Sequence, residues 1–199
     1  MTKFLLLCAF LTASLTSLAQ YQPGDRATDF RLKNVDGKLV SLKDDKAAKG
    51  FIVVFTCNHC PYSQAYEQRI IQLDQKYRPQ GYPVIAINPN DPHIQPEDSF
   101  EKMVERAQAK AYPFPYLIDE NSNVARAYGA TRTPHVFVLE RQKSRFVVRY
   151  IGAIDDHTED AAKAEKKYVE AAVEALLKGE QPALAFTKAI GCTIKWKKG

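Results

Sequence analysis

Two cysteines, Cys57 and Cys60, stand at C-x-x-C spacing in the stretch Thr56-Cys57-Asn58-His59-Cys60-Pro61. That spacing serves two chemistries, a redox-active dithiol or one half of a zinc site. The surroundings separate them. Phe51 to Phe55 is a continuous run of aromatic and β-branched residues after Gly50, the pattern of a strand buried on both faces. Tyr62, Tyr66, Ile70, Leu73 and Tyr77 then recur at helical spacing until Pro79 and Gly81. The pair therefore falls where a strand hands over to a helix. The unpaired N–H groups and positive dipole end of that helix stabilise a thiolate on the first cysteine. Cys57 is accordingly expected as an exposed nucleophile and Cys60, one turn on, as the resolving thiol. Pro61 suits the first helical turn, where its missing N–H costs nothing. His59 lies between the sulfurs. As a partly protonated imidazole it would lower the thiolate pKa and make the disulfide a better oxidant, and the plainer alternative is a solvated cap residue. A zinc site would need a second pair of ligands, but Cys192 stands alone and His93, His135 and His157 are isolated, so no metal is expected. A structural disulfide is the other alternative.

The elements that must hold this pair follow from periodicity. Phe30, Leu32, Val35, Leu39, Val40 and Leu42 flank an Asp36-Gly37 turn and read as a β-hairpin. Strands are expected at Val84 to Ile87, Tyr116 to Ile118, Val136 to Leu139 and Phe146 to Tyr150. Helices are expected at Glu97 to Ala109, Asn121 to Tyr128 and about His157 to Lys178, the last stopped by Gly179. This alternation gives an α/β fold, a central mixed β-sheet with helices on both faces and an N-terminal β-hairpin extension. The Asn88 to Pro96 loop leaves the C-terminal end of a central strand, where ligands of open α/β sheets gather, and is a candidate border of the substrate groove. Loop chemistry accounts for its Pro, Asn and Asp content equally well.

A chain of 199 residues is large enough for one domain with appendages. Its 45% hydrophobic and 26% charged content excludes wholesale disorder and a polytopic membrane protein. The net charge of +5 is scattered among acidic residues, so no nucleic-acid partner is expected. Residues 1–19 have a secretory layout: Lys3, an apolar run from Phe4 to Leu11, and Ser17-Leu18-Ala19 as a cleavage site. Export to the periplasm or outside the cell is expected, with no membrane anchor after cleavage. Residues 20–178 then form the domain and residues 179–199 a docked tail. Cys8 leaves with the signal, and the mature chain keeps Cys57, Cys60 and Cys192. In the tail, Ile190, Ile194 and Trp196 alternate around Cys192, so an extended segment lies against the domain. Cys192 is either a buried inert cysteine or a third redox thiol that reaches the active-site pair.

With these residues in view, the chain resembles the thioredoxin-like superfamily in its redoxin branch, which holds the AhpC/TSA peroxiredoxins and the TlpA and ResA kind of thiol-disulfide protein. Phe55-Thr56-Cys57-Asn58-His59-Cys60-Pro61-Tyr62, the 88–99 loop, Thr131-Arg132-Thr133-Pro134 and Gly191-Cys192-Thr193-Ile194-Lys195-Trp196 carry the resemblance. It implies a thioredoxin-like fold with Pro134 as a cis-proline facing the cysteines. Thr133 would pin the substrate chain, with Asn58 and Tyr62 also touching substrate. The family pattern departs at Thr56 and Phe51, which replace thioredoxin's tryptophan and buried aspartate, so the usual buried proton acceptor is missing.

The resemblance implies a thiol-disulfide oxidoreductase without cofactor, acting as a monomer on protein or small-molecule thiols and disulfides and recycled by a redox partner protein. Two rivals come with it. A peroxiredoxin-like peroxidase needs Pro-x-x-x-Thr-x-x-Cys, but Ile52 stands four residues before Thr56 and breaks the motif. A Sco-like copper chaperone uses C-x-x-x-C-P with a distant histidine. Here the spacing is one residue shorter, and His135 is the candidate ligand.

Overall fold

The computed structural model describes residues 20–198. The expected signal segment, Cys8 included, lies outside the described residues. In chain order the elements are β1 (Arg26–Ala27), β2 (Leu32–Asn34), β3 (Leu39–Val40), β4 (Gly50–Phe55), α1 (Pro61–Tyr77), β5 (Val84–Asn88), α2 (Phe100–Ala109), β6 (Tyr116–Ile118), α3 (Asn123–Tyr128), β7 (Arg132–Thr133), β8 (His135–Gln142), β9 (Arg145–Gly152), α4 (Tyr168–Leu177) and β10 (Cys192–Thr193).

One eight-stranded sheet runs β1-β9-β8-β4-β5-β6-β2-β3. Its centre is parallel, with Ile52 opposite Val84 and Ile87 opposite Leu117, while β8 lies antiparallel to β4 with Phe55 opposite His135. The β2–β3 hairpin adds to the β6 edge. Side chains of β4 alternate strictly between two cores. Ile52 and Val54 pack with α1, α2 and α4, and Phe51, Val53 and Phe55 pack with α3 and the N-terminal segment. All five are at most 2% exposed, each contributing about 1.5–3 kcal/mol by burial. An Asp at Val53 would place an unpaired charge in the middle of that layer. The central strand is thus clamped from both sides, and its C-terminal end, where Cys57 follows, is a rigid platform.

Three helix starts differ from the sequence pattern, that of α3 by two residues, at Asn123. The last helix begins at Tyr168, not near His157. Side chains at 155–160 take the backbone donors that a helix would use: His157 N–H donates to Asp155 Oδ1 at 3.0 Å, Asp160 N–H to His157 Nδ1 at 3.1 Å and Ala162 N–H to Asp160 Oδ1 at 2.9 Å. The segment is also tied to α1, since Arg69 donates to Asp155 Oδ2 at 2.6 Å and to the carbonyls of His157 and Thr158. Likewise α2 starts at Phe100, capped by the Ser99 hydroxyl, and Glu97 and Asp98 fall in a preceding turn of 3-10 helix. That displacement frees Asp98 from the helix and turns it toward the cysteines.

The tail docks as an extended segment. β10 pairs antiparallel with β7, Cys192 opposite Thr133 and Thr193 opposite Arg132. Ile194 is buried in the α3-side core.

Candidate active site

Cys57 and Cys60 sit where β4 ends and α1 begins. Cys60 is the N-cap of α1 and Pro61 fills its first position. The Thr133-Pro134 peptide is cis and faces them. Both sulfurs converge on Thr133: Cys57 Sγ is 3.2 Å from its hydroxyl, and Cys60 Sγ is 3.2 Å from its carbonyl oxygen. Ser63, one turn into α1, places its hydroxyl 3.8 Å from Cys57 Sγ.

Cys60 is bonded to Cys192, with their Cα atoms 6.1 Å apart, as the reading of Cys192 as a thiol within reach of the pair allowed. Two expectations about Cys57 are corrected. Cys57 is a free thiol and is 4% exposed rather than open to solvent. Its pKa is pushed up, not down. Burial is the first cause and the nearby Asp98 carboxylate the second, and together they outweigh the lowering hydrogen bonds from Thr133, the Cys60 backbone and Ser63. The helix terminus is present, but it cannot offset loss of water around the sulfur. Cys192 is half-buried, neither inert in the core nor remote from the pair.

The His59 ring is engaged by a carboxylate. Its Nδ1 donates to Asp98 Oδ2 at 2.6 Å. Asp98 is fully buried and saturated: its Oδ1 also accepts from the Asn58 and His59 backbone N–H groups at 2.6 and 3.3 Å, and its Oδ2 from Asn90 Nδ2 at 2.7 Å. One carboxylate therefore holds the whole Asn58-His59 turn. Cys57, His59 and Asp98 bring donor atoms within 4.8 Å of one another, but the direct contact between imidazole and carboxylate uses that proximity as a hydrogen bond. Asn58 also acts as a brace: it is buried, donates to the Glu97 carbonyl at 2.8 Å and accepts from the Tyr116 hydroxyl at 3.0 Å. Tyr62 stays 41% exposed and lines an open groove with Ala65 and residues 156–159.

His135 is not brought to the sulfurs as a ligand. It is buried, and its Nδ1 accepts from the Thr131 N–H at 3.3 Å. Burial pushes its pKa down to about 4.

Two acids near Cys57 escaped the sequence reading. Asp98 was visible only as part of a polar loop. Glu67 lines a small enclosed cavity with Thr56, Cys57, Ser63 and Tyr112. Its carboxylate accepts from Arg106 Nε at 2.6 Å, from Lys110 at 3.2 Å and from the Tyr112 hydroxyl. Burial opposes the charge, yet the Tyr112 and Arg106 hydrogen bonds carry its pKa below the usual carboxylate value. Glu67 lies ten residues past Cys57 on α1, and α-helical spacing from Ser63 was the signal that could have found it.

The tail closes the site from the other side. Lys195 N–H donates to Asn90 Oδ1 at 2.8 Å, and Asp91 N–H donates to the Lys195 carbonyl at 2.8 Å. The Arg126 guanidinium donates to the Lys197 carbonyl at 2.9 Å and stacks over Trp196 with its carbon 4.6 Å from the ring centre. Asn90 thus joins the tail to the carboxylate that holds the cysteine turn.

Among known proteins, residues 23–157 match the AhpC/TSA family. A crystal structure of a conserved protein from Geobacillus kaustophilus superposes with a TM-score of 0.83 at 36% identity, covering 90% of this chain and 95% of that one. The thiol-disulfide oxidoreductase ResA of Halalkalibacterium halodurans is 28% identical over 116 residues, which is 58% of this chain and 61% of that protein, so the match spans less than two thirds of the relative's length. A thioredoxin-family thiol:disulfide interchange protein from Chlorobium tepidum shares the fold, with a TM-score of 0.55 at 19% identity over 71% of this chain and 92% of that one. No described helix is long and apolar enough to cross a membrane.

Proposed function

The chain belongs to the AhpC/TSA family of the thioredoxin-like superfamily, and on that premise we propose that it is an exported thiol-disulfide oxidoreductase working through Cys57 and Cys60. The observation that carries this reading is the convergence of both sulfurs on Thr133, one on its hydroxyl and one on its carbonyl. Two sulfurs held on one residue at a helix N-terminus can pass a disulfide between them and a substrate strand lying along the same backbone. The ResA likeness and the family match support the same class of reaction.

In the reducing direction a dithiol reductant first opens the Cys60–Cys192 disulfide, and the Cys57 thiolate then attacks a substrate disulfide, forms a mixed disulfide and expels one substrate thiolate. The Cys60 thiolate then attacks Cys57 Sγ, expels the second substrate thiolate and leaves a Cys57–Cys60 disulfide. Oxidation runs the same steps backward, so the direction is set by the partner's potential. The raised pKa of Cys57 means that its proton must be drawn off before attack. Thr133 Oγ1, Ser63 Oγ and the Cys60 N–H are the donors that then hold the anion. A peroxidase would instead want a positive group over the sulfur, and the charge acting most strongly on Cys57 is the Asp98 carboxylate.

Turnover of a disulfide-bonded protein such as insulin, with a thiol reductant recycling the enzyme, tests the proposal. Wild type should exchange quickly and Cys57→Ser should fall to the background of the reductant alone. Fast reaction with hydrogen peroxide, orders of magnitude above a small thiol, together with no disulfide turnover, would overturn it.

A further inference from the structure

Thr133 meets three cysteines, two through their sulfurs and the third through the strand ladder. Its hydroxyl meets Cys57, its carbonyl meets Cys60, and its backbone pairs with Cys192 in the β7–β10 ladder. The disulfide joins the second and third of these, and the first is a free thiol packed beside them. Cys57 Sγ and Cys60 Sγ each lie 3.2 Å from an oxygen of the same residue, so the free thiol sits beside the sulfur that carries the disulfide. A disulfide that merely fastened the tail would have no use for a third thiol at its shoulder.

The strand that carries Cys192 also occupies a particular place. β7 is the two-residue edge ahead of Pro134, and β10 is the strand paired with it. An extended substrate chain seeking the Thr133 backbone would find that edge taken by this protein's own Gly191-Cys192-Thr193. The fit is close: a Cβ on Gly191 would run into the Thr133 carbonyl. On either side the tail has separate anchors. Thr187 N–H donates to the Ile151 carbonyl at 2.9 Å, and beyond β10 Ile194 is buried while Lys195 is held by Asn90. Residues 188–193 run between those anchors as a strap, and the Arg132 guanidinium holds the Gly191 carbonyl at 3.3 Å.

We propose that Cys192 is a third catalytic thiol of this site, exchanging with Cys57 for Cys60 while its strand covers the substrate edge in the Cys60–Cys192 form. This deepens the oxidoreductase reading above and rests on it for the substrate. Cys57 loses its proton to solvent and the thiolate attacks Cys60 Sγ. The Cys57–Cys60 bond forms, the Cys60–Cys192 bond breaks, and Cys192 leaves as a thiolate that takes a proton from solvent. No oxidant or reductant is consumed. The protein keeps one disulfide throughout, and the exchange decides whether the β7 edge is covered or open to a substrate strand.

The location of the free thiol reports which disulfide exists. The oxidised protein is equilibrated at neutral pH, pulsed with N-ethylmaleimide, and mapped by mass spectrometry. Label on Cys57 marks the Cys60–Cys192 form and label on Cys192 marks the Cys57–Cys60 form. The expected result is label on both, divided within about tenfold, with Cys57→Ser locked as Cys60–Cys192. Gly191→Ala leaves every thiol in place but prevents close docking on Thr133, and it should raise the Cys192 to Cys57 label ratio by about tenfold or more. Label confined to Cys57 in both proteins would make the disulfide a static fastener and overturn the proposal. Label confined to Cys192 in the wild type would overturn it as well, since the Cys60–Cys192 bond would then take no part. Insulin turnover is read in parallel. Labelling at both sites without turnover supports the exchange and rejects the oxidoreductase reading, whereas turnover with label fixed on Cys57 does the reverse.

Discussion

The two loops that meet at the site follow neighbouring parallel strands, and they carry their information differently. After β4 comes the cysteine turn, residues 56–60, in which every reactive group is adjacent to the next in sequence. After β5 comes the 89–99 loop, which sends one of its two buried carboxylates, Asp98, to the cysteine turn, and the four donors to Asp98 come from both loops. The first loop holds the sulfur chemistry and the second holds the first loop. Two short connections leaving the same end of one sheet can therefore divide the work, one by local spacing and one by tertiary position.

If that division is correct, the largest damage comes from removing the carboxylate rather than any group of the cysteine turn's own. Asp98→Ala strips the acceptor from two backbone N–H groups, the His59 ring and the Asn90 amide, leaving buried donors and an uncompensated imidazole. We expect a loss of about 3–5 kcal/mol in unfolding free energy, as for breaking a buried charged pair. Urea denaturation with unchanged slope measures it. A change under 1 kcal/mol would mean that the cysteine turn supports itself and the contrast between the loops is false.

A subtler substitution keeps the acceptor and removes only the charge. Burial comes first and the Asp98 charge second in raising the Cys57 thiol. Below its raised pKa the group is a neutral thiol and alkylates slowly, and the rate climbs only as pH passes that pKa. In a Cys60→Ser, Cys192→Ser background, Cys57 is the one thiol left among the described residues. There the iodoacetamide profile should have its midpoint above an ordinary thiol, and Asp98→Asn should move it down, so the variant reacts faster at neutral pH. The burial contribution stays, and the midpoint remains high. An upward shift would show that the Asp98 charge is not what raises the Cys57 thiol.

The contrast also explains what could be read without coordinates. The apolar run 51–55, the helical spacing from Tyr62 to Tyr77 and the Asp36-Gly37 turn are local patterns, and each appears as β4, α1 and the β2–β3 hairpin. Cys57, Cys60 and Thr133-Pro134 could be singled out because their spacing is itself the signal. Asp98 could not, since nothing in Pro96-Glu97-Asp98-Ser99 says that a 3-10 turn will break the amphipathic pattern two residues before Phe100 and aim one carboxylate at Asn58 and His59. The partner of Cys60 was equally hidden. Cys192 lies 132 residues away, and only the β7–β10 ladder decides which sulfur it meets. The exposure of Cys57 was misjudged for a related reason. A helix N-terminus tells of dipole and N–H groups, whereas burial depends on distant side chains such as Tyr112 and Phe114 that wall in Cys57 with α1, and burial governs the pKa here.

The smallest effect tests the second brace between the loops. Tyr116 is on β6, 1% exposed, and its hydroxyl donates to Asn58 Oδ1 at 3.0 Å. Asn58 in turn donates to the Glu97 carbonyl at 2.8 Å, so this side chain ties the cysteine turn both to the sheet and to the neighbouring loop. Tyr116→Phe removes one oxygen and leaves the ring packing in place. The cost is therefore that of a buried amide oxygen without a donor, about 1–3 kcal/mol, below the Asp98→Ala loss because no charge is stranded. Since the Asp98 hydrogen bonds to Asn58 and His59 remain, the Cys57 alkylation midpoint should stay where it is even as stability falls. Stability lowered with an unmoved midpoint would place positioning in Asp98 and mere support in Tyr116. A midpoint that moves with the stability would mean the two braces act as one network, and the carboxylate would lose its separate standing.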